Sequence, residues 1–188
     1  MTKIIVNSQI YLDFPNMADV DDYVLYLNEQ EIFDNTLKLP LPYSREHAIA
    51  WIQHQLDFTT QYGIQKQWTI RSDKGESIGG IGIHIEDTES LHQVNACIEI
   101  GYWLAKPFWN KGIMTLVLKS FCEFLFNHTE IICITAHTFA FNLASQRVAE
   151  KAGFINKGKI SDFFEKEDKL MDAVKLELHK IIPNAILK

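Results

Sequence analysis

The stretch Ile98-Glu-Ile-Gly-Tyr-Trp-Leu-Ala-Lys-Pro-Phe-Trp-Asn-Lys-Gly-Ile-Met-Thr115 decides how the rest of the chain is read. A strand over Ala96 to Leu104 runs into a short loop, Ala105 to Lys111, and Gly112 opens a long apolar helix reaching about Phe126. A helix N-terminus carries unpaired N–H groups and the positive end of the helix dipole, so this turn suits a phosphate or pyrophosphate. Gly112 lets the backbone approach such a group closely. Many strand-to-helix turns contain a glycine, so the surrounding sequence has to decide.

Downstream the chain alternates. The strand Ile131 to His137 precedes a helix from about Leu143 to Ala152, ended by Gly153, and strands follow at Phe154 to Ile160 and Asp172 to Leu178. Upstream, Ile10 to Phe14 reads as an opening strand and Asn16 as the cap of a helix through roughly Glu29. Glu31 to Tyr43, with Pro40 and Pro42, reads as an irregular loop. Ser44 caps a second helix carrying Ala48, Ile49, Ile52 and Leu56 at helical spacing. Strands Gln67 to Arg71 and Ser77 to Ile85 form a hairpin across Asp73-Lys-Gly75, and a polar loop, Glu86 to Gln93, returns to the opening stretch. Antiparallel strands followed by β-α-β-α-β indicate an α/β (α+β) fold: a mixed, mostly antiparallel sheet with helices on both faces. No repeat or linker divides the chain, so residues 1–188 are expected to form one domain.

Composition narrows the function. The 188 residues are 47% hydrophobic and 22% charged, enough for a core and against disorder. No apolar run approaches the ~20 residues of a membrane span, and the N-terminus soon turns too polar for a signal peptide, so a cytoplasmic protein without a membrane partner is expected. The net charge of −6, from 18 basic and 24 acidic residues, argues against a general nucleic-acid binder and is compatible with a cationic partner such as an amine. Cys97, Cys122 and Cys133 form no CxxC pair and sit among apolar neighbours, the pattern of small buried hydrophobes. The seven histidines are scattered, and no metal site is expected. Gly153-Phe-Ile-Asn-Lys-Gly158-Lys159 copies most of a phosphate-binding loop, but Ile160 replaces the Mg²⁺-binding hydroxyl and the stretch runs from helix to strand, the reverse of the required order. Asn127-His-Thr129 is a glycosylation sequon without a secretory context, and neither HExxH nor GxSxG occurs.

A second block, Asn142-Leu-Ala-Ser145-Gln-Arg-Val148-Ala-Glu-Lys151-Ala-Gly153-Phe154, follows the next strand. With Glu99-Ile-Gly-Tyr-Trp-Leu104 and Trp109-Asn-Lys-Gly112 it resembles the GNAT N-acetyltransferase superfamily, in particular the branch of ribosomal-protein N-terminal acetyltransferases (RimJ/RimL-like). Pro40-Leu-Pro-Tyr43, Ala50-Trp-Ile52 and Ile78-Gly79 match in the same order, so the resemblance covers roughly Ile10 to Leu178. It implies acetyl-CoA as donor, with no metal, and a primary amine as acceptor, either a protein N-terminus or a small amine. Asn110, Lys111, Gly112, Ile113, Met114 and Thr115 would hold the pyrophosphate by their backbone amides. Tyr102, Trp103 and Leu104 would pair main chain with the pantetheine arm, in a gap between this strand and Ile131 to His137. Asn142 would bond the pantetheine or acetyl region, Lys151 belongs to the cofactor-side motif, and Ser145 would lie near the sulfur. A homodimer is left open. The family favours Arg or Gln at Trp109, Gly at Asn110 and Ala or Gly at Met114; Asn tolerates positive φ, whereas Met114 is bulky enough to narrow the phosphate approach.

Direct acetyl transfer needs a deprotonated amine and a protonated leaving thiolate. Many members of the superfamily place a tyrosine acid four residues before the second-block glycine, where this chain has Ala149. Ser145 is then the candidate donor to sulfur, against the plainer reading of a first-turn serine bonding local backbone. Glu99 is the candidate base. It alternates onto one face with Gly101 and Trp103, and partial burial there is expected to raise its pKa. Glu29, Glu31 and Asp34 border the acceptor loop and could attract an amine, or be ordinary surface charge. The rival function is a non-catalytic acyl-CoA-binding or sensor protein on the same fold; a protein-interaction module that binds no coenzyme A is the third.

Overall fold

The computed structural model describes residues 2–85 and 96–181, so the polar loop read over Glu86 to Gln93 lies outside the described residues. The strands are β1 (Ile4–Ile5), β2 (Ile10–Asp13), β3 (Gln67–Ser72), β4 (Ser77–His84), β5 (Cys97–Leu104), β6 (Cys133–Phe139), β7 (Ile155–Lys166) and β8 (Lys169–His179). The helices are α1 (Val20–Leu27), α2 (Gln30–Asp34), α3 (Arg45–Tyr62), α4 (Ile113–His128) and α5 (Leu143–Ala152). One sheet runs β1-β2-β3-β4-β5-β6-β8-β7. Every neighbouring pair is antiparallel except β5 and β6, which are parallel and joined through α4. The expected mixed sheet with a helix layer on each face is the fold observed.

The β5–β6 ladder is short. It pairs Cys97 with Cys133, Ile98 with Ile134 and Glu99 with Thr135, and then stops. Strand β5 stays on β4 as far as Leu104, and β6 stays on β8 as far as Phe139. The sheet therefore forks just beyond Glu99.

Alternation sends the two sides of β5 into different layers. Ile98, Ile100 and Leu104 join Met114, Val117, Leu118, Phe121 and Leu125 of α4 and Ala149 of α5 in the larger core. Trp103 turns to the opposite layer, where Tyr23, Leu27, Ala48 and Ile52 pack from α1 and α3. Ser44 starts α3 with a capping box completed by His47, and Gly63 ends it at φ 69°. On the α1 and α3 face, β4 and β5 carry glycines because neighbouring side chains lie across them. A Cβ on Gly80 would come within 2.6 Å of the Trp103 indole, and one on Gly101 within 2.7 Å of the His84 imidazole.

The helix begun at Asn16 does not reach Glu29: a 3₁₀ turn, Met17–Asp19, leads into α1, which stops at Leu27. The Asn28 amide bonds the Val24 carbonyl and exchanges two bonds with the Tyr43 backbone, so it closes the following loop, and Gln30–Asp34 inside that loop is helical. The last hairpin is longer than read, turning at Glu167 and Asp168, both at positive φ, because β7 is largely exposed and its polar sequence hides the strand period. The cysteines are not three buried hydrophobes. Cys97 is exposed and forms a disulfide with Cys133, its ladder partner at a Cα separation of 4.4 Å, a proximity that a sequence separation of 36 conceals. Cys122 alone is the buried free thiol expected.

Candidate active site

The fork opens towards the start of α4. Asn110 takes φ 58° and Gly112 φ 73°, two left-handed residues that turn the loop into the helix. A Cβ at Gly112 would meet nothing within 4 Å, so glycine is required there by backbone conformation rather than by space. Asn110 fills a left-handed position as the residue type best able to replace glycine. The first turn of α4 contains no acidic side chain to compete for its N–H groups, and Lys111 stands exposed beside it, 5.4 Å above the Phe108 ring. Met114 does not crowd this approach. Its side chain is buried in the core beneath the helix, 6% exposed, leaving only its main chain on the loop side. The loop is pinned from behind by the Trp109 indole, which donates to the Leu104 carbonyl at 2.6 Å.

The edge of β5 that faces the gap can be identified by its bonds. The Ala96 carbonyl accepts from Ile132 N–H and the Ile98 carbonyl from the Thr135 hydroxyl, so even-numbered residues turn their main chain towards β6. Past the fork, the Ile100 carbonyl, the main-chain groups of Tyr102 and the Leu104 N–H have no ladder partner among the described residues, whereas Trp103, expected to join them, turns its main chain to Gly80 on β4. An extended chain could add to this edge as a further strand does, which fits a pantetheine arm with its two amides.

On the α1 and α3 face of the fork stands Glu99. His137 Nδ1 lies 3.2 Å from one carboxylate oxygen and His84 Nδ1 3.8 Å from the other. His137 is largely buried, 11% exposed at the side chain, and stacks on Phe163 at 4.5 Å between ring centroids. Its Nδ1 is buried and meets hydrogen-bond geometry with no described group, so its contact with Glu99 is electrostatic rather than a well-aligned bond. Burial pushes the Glu99 carboxyl up, but the contacts with His137 and His84 outweigh it and hold the group at about 2. The expected upward shift is thus reversed: alternation placed Glu99 correctly, but its neighbours on β4 and β6 could not be read from β5. Lys175 is the ladder partner of His137 and is engaged by Glu177 at 2.7 Å. Among the described residues no three His, Cys, Asp or Glu side chains converge closely enough to hold a metal ion.

On the opposite face stands Ser145, in the first turn of α5. Asn142 caps this helix, its side-chain oxygen accepting from Ser145 N–H at 3.0 Å. The Ser145 hydroxyl is not spent on local backbone. Its partner is the Tyr102 hydroxyl at 2.9 Å, reaching up from β5. Burial pushes the Tyr102 phenol up to about 12. Lys151 is exposed in the last turn of the same helix, at the far end from Ser145, and is not brought to the fork.

The Glu99 side of the fork is bordered by the long hairpin, which reaches α2. Lys166 near the tip of β7 donates to the carbonyls of Phe33 and, at 2.8 Å, Thr36, joining the hairpin to the end of α2. Lys106 pairs with Glu31 and lies 3.5 Å from Glu29, so those acids are ordinary paired surface charge. His84, His137, the Tyr102 hydroxyl and Lys166 are the site features missed in the sequence; each depends on register between distant strands, for which a single chain carries no local signal.

A family model described as "Acetyltransferase (GNAT) domain" matches residues 9–155. The chain is similar to "Putative ribosomal N-acetyltransferase YdaF" of Bacillus subtilis (strain 168), 35% identical over 88 residues, 47% of this chain and 45% of that protein. It is also similar to "Uncharacterized N-acetyltransferase YoaA" of the same organism, 32% identical over 123 residues, 64% of this chain and 65% of that one. The chain thus spans less than two thirds of the length of these curated relatives. Among solved structures, the ribosomal L7/L12 alpha-N-protein acetyltransferase RimL in complex with coenzyme A superposes with a TM-score of 0.80 at 18% identity, over 95% of this chain and 98% of that one. The microcin C7 self-immunity acetyltransferase MccE, in complex with acetyl-CoA and AMP, gives 0.79 at 18% identity, over 93% and 94%. At such identities the likeness is one of fold.

Proposed function

The chain belongs to the GNAT acetyltransferase family, and from that premise we propose that it moves the acetyl group of acetyl-CoA directly to a primary amine, foremost the N-terminal α-amine of a protein. The observation that carries this reading is the fork itself, which has an acid with two imidazoles on one face and a pair of hydroxyls on the other. Direct transfer needs such a division, because the amine loses a proton on one side of the thioester while the thiolate gains one on the other.

Bound acetyl-CoA supplies the thioester carbonyl. The N–H groups from Asn110 through Thr115 receive its pyrophosphate at the positive end of α4, and Ile100, Tyr102 and Leu104 receive its amides. Glu99, ionised throughout the working pH range, holds the incoming ammonium and keeps the His137 ring in place. A carboxylate held at about 2 is too weak a base to take the amine's proton, so we assign that step to the His137 imidazole, 3.2 Å from Glu99. Ser145 donates to the departing sulfur. The α-amine preference draws support from the likeness to RimL, a ribosomal L7/L12 alpha-N-protein acetyltransferase; a small amine is the alternative acceptor.

Acetyl-CoA binding is tested first by stability, since a ligand at 100 times its Kd stabilises the native state by about 2.7 kcal/mol. An unchanged melting temperature in millimolar acetyl-CoA overturns the donor assignment. Peptides with free and blocked N-termini then test the acceptor: coenzyme A release with the free peptide only is expected. Tight binding without transfer to any amine, and without slow hydrolysis, favours the acyl-CoA-binding reading to which Ala149 lends support.

A further inference from the structure

The helix position at which many acetyltransferases of this superfamily carry a tyrosine is Ala149, fully buried. A phenol nevertheless reaches the first turn of α5 from another element. Tyr102 stands on β5, on the same side of the sheet as α4 and α5, and its hydroxyl lies 2.9 Å from Ser145 Oγ and 3.4 Å from the Ser145 carbonyl oxygen. Ser145 Oγ has no other hydrogen-bond partner among the described residues, and its N–H is already taken by Asn142.

We propose that Tyr102 is the positioning residue for Ser145, donating its phenolic hydrogen to Oγ so that the serine's own hydrogen is left to point into the fork at the leaving sulfur. The direction of the bond follows from acidity: a phenol is a stronger acid than an aliphatic alcohol and so the better donor, while the alcohol oxygen is the better acceptor. Burial, opposed by Ser145 and reinforced by the Cys122 thiol on α4, keeps the phenol protonated, so it acts as a fixed donor rather than as the acid itself. In the transfer step the amine nitrogen bonds to the thioester carbonyl carbon and gives its proton to His137, the carbon–sulfur bond breaks, the sulfur takes the Ser145 hydrogen, and the serine recovers a proton from solvent, to which His137 returns the one it took. Tyr102 neither gains nor loses a proton overall. The titratable groups facing the sulfur are then Ser145 and Tyr102 on one side and Glu99, His137 and His84 on the other.

This inference rests on the acetyl-transfer reading, and the test separates the two. Binding of free coenzyme A and of acetyl-CoA is followed by calorimetry from neutral to alkaline pH in wild type, Tyr102→Phe, Ser145→Ala and the double variant, alongside steady-state kinetics. Hydrogen bonds to a thiolate favour it, so wild-type affinity for coenzyme A is expected to rise with pH more than that for acetyl-CoA, which has no thiol. That excess is expected to vanish in Ser145→Ala and to shrink in Tyr102→Phe. Tyr102→Phe is also expected to lower kcat about tenfold, the scale of one neutral hydrogen bond, with KM for acetyl-CoA within about twofold. The double variant is expected to match Ser145→Ala alone. A Tyr102→Phe enzyme with wild-type kcat and wild-type pH dependence of coenzyme A binding overturns the proposal, as does a double variant whose losses multiply. Should Tyr102→Phe not fold, NMR of ring-labelled tyrosine in Ser145→Ala decides, because an unmoved Tyr102 resonance means the two hydroxyls do not interact. If wild type transfers acetyl groups while the Tyr102 variant is silent, only this inference falls; if wild type binds no coenzyme A, the acetyl-transfer reading falls and takes it along.

Discussion

Asp19 and Glu99 are both carboxylates set against nitrogen-bearing side chains beneath the α1 and α3 layer, and their surroundings differ in completeness. Asp19, 2% exposed at the side chain, grips Arg71 through two bonds of 2.6 and 3.0 Å, accepts from Ser77 Oγ at 2.6 Å and Thr69 Oγ1 at 3.3 Å, and caps Asn16 N–H at 2.9 Å. Arg71 spends a further donor on the Phe14 carbonyl, and Tyr23 closes the network on Thr69. Glu99 has two imidazoles at 3.2 and 3.8 Å, is a third exposed, and faces a His137 nitrogen that is buried but unaligned. A saturated buried network fixes a structure, here the angle at which α1 leaves the sheet. An unsaturated one at the edge of a gap is free to receive a ligand.

The largest expected effect tests the saturated cluster. Asp19→Ala leaves the Arg71 guanidinium, 6% exposed, buried with only Asp13 at 3.8 Å as a charged partner, and loss of one member of a buried pair costs about 3–5 kcal/mol. Urea unfolding should show it as a fall in midpoint at unchanged m. A change below about 1 kcal/mol would place Asp19 among ordinary surface pairs and dissolve the contrast.

The corresponding change at the fork should do the reverse. Glu99→Gln and His137→Gln are each expected to lower kcat/KM about 10²-fold or more while moving stability by less than about 1 kcal/mol, and together to lose less than the product. Raising the pH should partly rescue His137→Gln by supplying free amine. Both variants within a few-fold of wild type, on an accepted substrate, would mean that positioning alone carries the reaction.

A smaller effect is expected at the mouth of the fork. Gly112→Asp adds an anion at the proposed pyrophosphate site and should weaken coenzyme A binding about tenfold, the scale of a charge at a helix terminus. Because φ is 73° there, Gly112→Asn is the control, matching the strain without the charge. Equal losses in the two would assign the effect to backbone strain.

What could be read in advance follows from the range of the physics involved. Capping by Ser44, the α5 boundaries and the turn at Gly112 are local, and they stood where the sequence placed them. Alternation alone gives the face of Glu99; the sign of its pKa shift runs opposite to the expectation, because it depends on His84, fifteen places upstream and paired across β4, and on His137, beyond a whole crossover helix. Likewise the sequence points only to the main chain of Tyr102, since nothing in Gly101-Tyr-Trp103 tells that its hydroxyl lands on Ser145. Residues were legible; their neighbours across the fork were not.

The finest test of the comparison is in acid. Glu99 is held at about 2, below its ordinary value, so its contacts stabilise the fold in full above the unfolded carboxylate range near 4.5 and are lost as pH falls through 2. Glu99→Gln should therefore be slightly less stable than wild type above that range, and the difference should close between about pH 4.5 and 2. With a third of the side chain exposed, solvent screening keeps the gap under about 1 kcal/mol. Glu177, also held at about 2 by Lys175, contributes a slope of the same sign, so the measurement is the difference between variant and wild type rather than either curve alone. A gap that widens on acidification would mean that the glutamate is destabilised at the fork, as an acid kept there for catalysis at a cost in stability, and would return to Glu99 the role of base here given to His137.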